Sequence, residues 1–267
     1  MLELDRLHRT QSPLGPQLRG KMRWIAADAN RCAYSRATAA ADLKRAGLDH
    51  RQIEALAGDH AEFPAPERAA LEFARKMTTS ADTVTDGEVA YLKSHYGEKK
   101  LAAMVLLLAY ANFQDRLILA LDLSIEHGGP LPPLDVRFDK KAKEPEVPAR
   151  KKPTGPPPPA VPAYVDDPEW RSFDFDDLQK NLSTQRAAPG RIRVPSWDEV
   201  KAVLPAGYPP PKHPIRIQWS LVCMGYQPEL AAAWSACTRN FGEEAKQDRV
   251  FEESLFWVVT RTIHCFY

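Results

Sequence analysis

Proline sets the strongest limit on how this chain can fold. Twelve of its 24 prolines fall between Pro130 and Pro168. A proline removes a backbone donor and clashes with the preceding helical turn, so no helix or central strand runs through such a stretch. Lys140-Lys141, Arg150-Lys151-Lys152 and the run Pro156 to Pro159 share it with few large apolar residues, which leaves nothing to build a core. Runs of proline favour extended polyproline II. The reading is a first domain over residues 1–127, a semi-rigid and disordered spacer over 128–168, and a second domain over 169–267. A proline-motif ligand over Pro153 to Pro162 is the functional alternative for the spacer.

Composition narrows the function classes. The 267 residues are 44% apolar and 27% charged, as in an ordinary globular protein, and 36 basic residues against 35 acidic ones leave a net charge of +1. A generic polyanion-binding surface has little support, so no nucleic-acid partner is expected. The longest apolar run, Leu101 to Ala111, is shorter than the roughly 20 residues that cross a bilayer, so no membrane span is expected. Met1 to Asp5 carries acids and does not read as a secretory signal. Four cysteines, Cys32, Cys223, Cys237 and Cys265, are too sparse for a disulfide scaffold and read as thiols in a reducing, cytoplasmic setting.

Residues 1–127 read as helical throughout, because apolar residues recur at three- and four-residue spacing between start and stop signals. A first helix runs to about Ala29, with Met22, Ile25 and Ala26 on one face. Asn30 is placed to cap a second helix that carries Cys32 and stops at Gly47. Asp49 with Gln52, and Thr85 with Glu88, have capping-box spacing, and Pro66 suits a first turn. Glu98 to Leu121 is the longest and most apolar helix, buried among the others or against another subunit. In the second domain, Asp166 to Gly207 is polar and punctuated, with Trp170, Phe173 and Phe175 as anchors. His213 to Gly225, Pro228 to Phe241 and Asp248 to Tyr267 follow as helices, the last made ambiguous by the β-formers of Trp257 to Thr260.

The string Asn30-Arg31-Cys32-Ala33-Tyr34-Ser35 is the most informative for chemistry. A thiol in the first turn of a helix meets the positive end of the helix dipole, which favours thiolate, and Arg31 and Arg36 add to that. A thiolate there attacks a peroxide oxygen and becomes a sulfenic acid that a second thiol must resolve. The structural alternative is a small buried residue between helices.

The run Trp24 to Ser35, followed by Leu43-Lys44-Arg45-Ala46-Gly47-Leu48, resembles the alkylhydroperoxidase D and carboxymuconolactone decarboxylase superfamily. Pro66 to Ala74, Val84-Thr85-Asp86 and the helix ending Tyr110 to Arg116 follow the order of one complete lobe of that all-α fold, over roughly residues 14–123. The resemblance implies a glutamate, a cysteine twelve residues on, a second cysteine three later and a histidine four beyond that. Here Cys32 matches the first thiol, while Ser35, Ala39 and Gly20 stand where the second thiol, the histidine and the glutamate would be. Serine forms no disulfide, so a reactive Cys32 needs an outside thiol.

Glu253 lies twelve residues before Cys265, the family's glutamate-to-thiol spacing. By the resemblance the next thiol falls one residue after Tyr267, so the expectation is a second, better-preserved lobe cut before its resolving cysteine. The implied activity is a cofactor-independent thiol peroxidase, with Cys265 as peroxidatic thiol, Glu253 assisting it, and Cys32 a relic or a one-cysteine site. Its partners would be a hydroperoxide, a thiol reductant and further copies of the chain. The alternatives are a non-catalytic helical scaffold for oligomer or partner assembly, and a cofactor-free lactone decarboxylase.

Other candidates carry less. His60, His95 and His127 read as solvated, without metal-ligand spacing. His264 adjoins Cys265, but successive side chains on a helix diverge. Cys223 and Cys237 fall in apolar patterns, and Asn112 with Arg116 reads as a bundle cap or subunit contact. No phosphate loop, nucleotide fingerprint or serine-hydrolase elbow is present.

Overall fold

A computed structural model describes residues 1–135, 174–187, 190–206, 208, 213–244, 249–263 and 265. Every regular element among them is a helix, Trp257 to Thr260 included. The basic and proline runs from Lys140 to Pro162, together with Trp170, Phe173, His264, Phe266 and Tyr267, lie outside the described residues.

The first helix of the sequence reading is two, α1 (Leu2–Thr10) and α2 (Pro16–Ala29). Gly15 turns the chain at φ 75°, and Pro16 opens α2, where a missing N–H leaves no bond unmade. Then come α3 (Ala33–Arg45), the short α4 (His50–Glu54), α5 (Ala65–Thr79) and α6 (Asp86–Ala120). Both capping boxes form, at Asp49 with Gln52 and at Thr85 with Glu88, and Pro66 lies in the first turn of α5. Gly97 breaks α6 with φ 74° and ψ 166°, a conformation open to glycine, so the apolar arm starts at Glu98 as its periodicity predicts.

α2 is the hub, packed on α3, α5 and α6, and its Met22, Ile25 and Ala26 are wholly buried. The second arm of α6 adds Met104, Leu107, Leu108 and Ala111 to that core. Among the described residues α6 alone is long and apolar enough to cross a bilayer by length and composition, a test that a buried core helix also passes, and most of its apolar stretch is buried in this core.

Residues 190–265 belong to the same compact unit as 1–136, and α7 (Phe175–Ala187) belongs to a second unit. In the first unit follow α8 (Trp197–Val203), α9 (Gln218–Tyr226), α10 (Pro228–Glu244) and α11 (Arg249–Thr262). A capping box of Ser196 and Glu199 opens α8. α9 packs on α6, α8 and α10, while α10 packs on α1. Val200, Leu221, Met224 and Ala231 form a small core of their own. Glu98, at the break in α6, ties the two parts together by accepting the Tyr226 hydroxyl at 2.7 Å and the Arg193 amide at 3.1 Å.

Candidate functional site

Asn30 ends α2 instead of opening α3, because its side chain turns inward and donates to Asn112 Oδ1 at 3.0 Å and Asp115 Oδ2 at 2.9 Å. Arg31, in the left-handed region at φ 57°, reverses the chain, and Cys32 becomes the N-cap of α3. The Cys32 amide donates to the Ala27 carbonyl at 2.9 Å. The thiol thus stands at a helix N-terminus as its spacing predicts, but the residue is only 1% exposed. Ser35 and Ala39 are buried further along α3. Across from them a Cβ on Gly20 would come within 2.6 Å of Leu43 Cδ2, so a leucine fills the space beside position 20.

Two clusters of buried charge form on α2 and α3, one at this elbow and one near the far end of α3. At the elbow Arg23 grips the wholly buried Asp115 through both terminal nitrogens and also donates to Gln114 Oε1 at 3.1 Å. Asn112 accepts from Asn30, which also donates to Asp115, while Arg116, the partner of Asn112 by sequence spacing, is exposed. Near the far end of α3 Asp42 accepts from Arg9 at 2.8 Å, Arg19 at 3.3 Å and Arg45 at 2.7 Å. Burial opposes ionisation of Asp42, but the hydrogen bonds and charge of Arg9, joined by Arg19 and Arg45, hold its carboxyl below the ordinary value.

Between the clusters lies a cavity of about 230 Å³, reached by His8, Arg19, Arg23, Ser35 and Tyr110 and walled by Leu107, Leu131 and Leu134. The first residues of the proline-rich region close over it. Arg9 donates to the Leu131 carbonyl at 2.8 Å, Arg45 to the Pro130 carbonyl at 3.1 Å, and the Tyr34 hydroxyl to Glu126. His8 stacks on Tyr110 with ring centroids 4.4 Å apart. Burial first, then the charges of Arg19 and Arg23, push the His8 imidazole down to about 3, so the ring is neutral. Sequence reasoning missed this constellation of His8, Arg19, Arg23, Asp42 and Asp115.

The second candidate thiol repeats the first in backbone form. α11 and α2 are each 14 residues long. Glu253 is the fifth residue of α11, as Gly20 is of α2, and Cys265 is the third residue past the helix, as Cys32 is. The Cys265 amide donates to the Thr260 carbonyl at 2.9 Å, the same five-residue closure that Cys32 makes to Ala27. What differs is cover. Cys265 and Glu253 are exposed, and Leu255, Val258 and Val259, which match the buried Met22, Ile25 and Ala26, are exposed as well.

Of the remaining thiols, Cys223 packs on the small C-terminal core and burial pushes it up to about 11, while Cys237 is half-buried on α10. His95 and His127 are exposed as expected. His60 is buried instead, its Nε2 2.9 Å from the Leu56 carbonyl. Among the described residues no group of His, Cys, Asp and Glu is arranged to hold a metal ion. No protein-family model matches the chain, and no curated protein is significantly similar to it.

Proposed function

We propose that the chain is a thiol peroxidase of the alkylhydroperoxidase D-like, carboxymuconolactone decarboxylase type, with its reactive thiol at Cys265 and an N-terminal lobe that keeps the fold without the redox groups. The observation that carries this reading is the repeat of α2 and Cys32 in α11 and Cys265, with Glu253 where the N-terminal copy has Gly20. In the reaction the Cys265 thiolate attacks one peroxide oxygen, an S–O bond forms as the O–O bond breaks, and the alkoxide leaves as alcohol with a proton relayed by Glu253. The sulfenic acid condenses with one thiol of a dithiol reductant, releasing water. The reductant's second thiol then attacks the mixed disulfide and frees Cys265.

The N-terminal lobe supports the division of labour. Ser35 forms no disulfide, and Leu43 fills the space a glutamate at position 20 would need. That contact favours a scaffolding role for this lobe. The exposed Leu255, Val258 and Val259 on α11 support self-association as part of the proposal, and the free thiols suit a cytoplasmic setting.

The test is to treat the protein with a hydroperoxide, trap sulfenic acid with a dimedone-type probe and locate it by mass spectrometry. The expected label is on Cys265, lost in Cys265→Ser and kept in Cys32→Ser. Labelling no greater than that of an unfolded-thiol control would sink the peroxidase reading.

A further inference from the structure

We infer that a second cavity, where α6, α9 and α10 meet, is a binding site for an uncharged aromatic small molecule of more than one ring. The site goes beyond the thiol chemistry and uses neither Cys265 nor Glu253.

This cavity holds about 430 Å³, nearly three times the roughly 150 Å³ of an apolar cavity that binds benzene. Every residue around it belongs to the first unit. Leu106 of α6, Trp219 and Met224 of α9, and Leu230 and Trp234 of α10 wall it. The small C-terminal core reaches it through Met224 and Ala231 but leaves it open. Packing fixes the rings in its wall. Trp234 meets Phe113 edge-on with ring centroids 5.9 Å apart, and Tyr110 is held by its stack on His8. The space is therefore formed before a ligand arrives, between helices of a bundle, where small-molecule sites commonly lie.

The walls choose the chemistry. Among the described residues no carboxylate, ammonium or guanidinium lines this cavity. The His8 ring is neutral, burial pushes Cys223 up to about 11 so that its thiol keeps its proton, and the Thr238 hydroxyl already donates to the Trp234 and Ser235 carbonyls. An ion entering here would lose its water without gaining a counter-charge. Water needs about two to four polar partners, which leucine, methionine and indole faces do not supply. Ser220 and Ser235 add hydroxyls that suit one polar substituent and cannot balance a charge. Aromatic ligands suit the rings, because offset and edge-on contacts add to the burial of apolar area. Trp219, 56% exposed beside the cavity, gains cover when the space is filled.

Fluorescence titration of the full chain with N-phenyl-1-naphthylamine and with 8-anilinonaphthalene-1-sulfonate tests this, because the two probes share one ring system and differ by a sulfonate. Saturable binding of the uncharged amine is expected, about tenfold or more tighter than that of the sulfonate. Ala109→Trp, at an exposed position of α6 beside the cavity, puts an indole into the space and should weaken amine binding about tenfold or more, with circular dichroism to show that the variant folds. Phe256→Ser removes an exposed apolar side chain of α11 and should leave the affinity unchanged. Absence of saturable amine binding, a sulfonate that binds as tightly, unchanged affinity in a folded Ala109→Trp protein, or loss of binding in Phe256→Ser would each overturn the inference. The titration contains no peroxide or reductant, so its outcome is independent of labelling at Cys265.

Discussion

His8 shows how far a residue's behaviour can depart from its composition. A histidine in the last turn of a short helix normally gains from protonation, yet here it lies flat on Tyr110 under the field of Arg19 and Arg23. Its pKa is 6.5 in an unfolded chain and about 3 when folded. Between these values the unfolded state binds a proton that the folded state does not. The contribution to stability is therefore complete above pH 6.5 and is lost as the pH falls toward 3. His8→Phe keeps an aromatic ring on Tyr110 and removes the titration. Its urea midpoint should fall less steeply than that of the parent across this window, and parallel profiles would show that His8 does not stay neutral. Cys32 stands at the opposite extreme of legibility. Its place at a helix N-terminus follows from its neighbours, while its burial does not, because burial depends on the helices that pack over the elbow.

Among the elements, the contact of α2 with α3 decides what the N-terminal lobe can do. Gly20 lets the helices approach until Leu43 touches the backbone face of α2, and Leu43 is wholly buried, so it has nowhere to retreat. Gly20→Ala gains about 1 kcal/mol of helix propensity but forces overpacking that costs about 1–3 kcal/mol, so a net loss of stability is expected. Combined with Leu43→Ala the loss should be smaller than the two single losses added, since the new methyl occupies space the leucine vacates. Strict additivity in a denaturant double-mutant cycle would refute the contact. Most helix ends were legible because their causes are local: two capping boxes, Pro66, Gly47 and the break before Glu98 all fall where their residues predict. The Gly15-Pro16 division of the first helix and the Ser196-Glu199 start of α8 carry the same kinds of local signal. Asp115 also left a trace. It falls on the stripe of Met104, Leu108 and Ala111, where a carboxylate must find a buried partner, but the stripe does not say that the partner is Arg23.

For the whole molecule, the described residues hold two cores of unequal size. The larger runs from Leu14 to Ala111 within the N-terminal segment, while the smaller has Val200, Leu221, Met224 and Ala231 as its buried members. Stability rises with the surface a domain buries, and a small core does little against chain entropy. A fragment of residues 1–135 should therefore remain helical and melt cooperatively, whereas 190–265 alone should not. Loss of the cooperative transition in the first fragment would mean that the C-terminal helices, through Glu98 and the packing of α10 on α1, are required for the fold. The all-helical architecture was determined by the sequence itself, because helix hydrogen bonds and caps join residues within a few positions of one another. The cavity was decided only by tertiary structure. Arg9 meets Asp42 from 33 residues away and Arg23 meets Asp115 from 92, and it is that distant packing, which excludes water, that turns ordinary surface charges into a buried site.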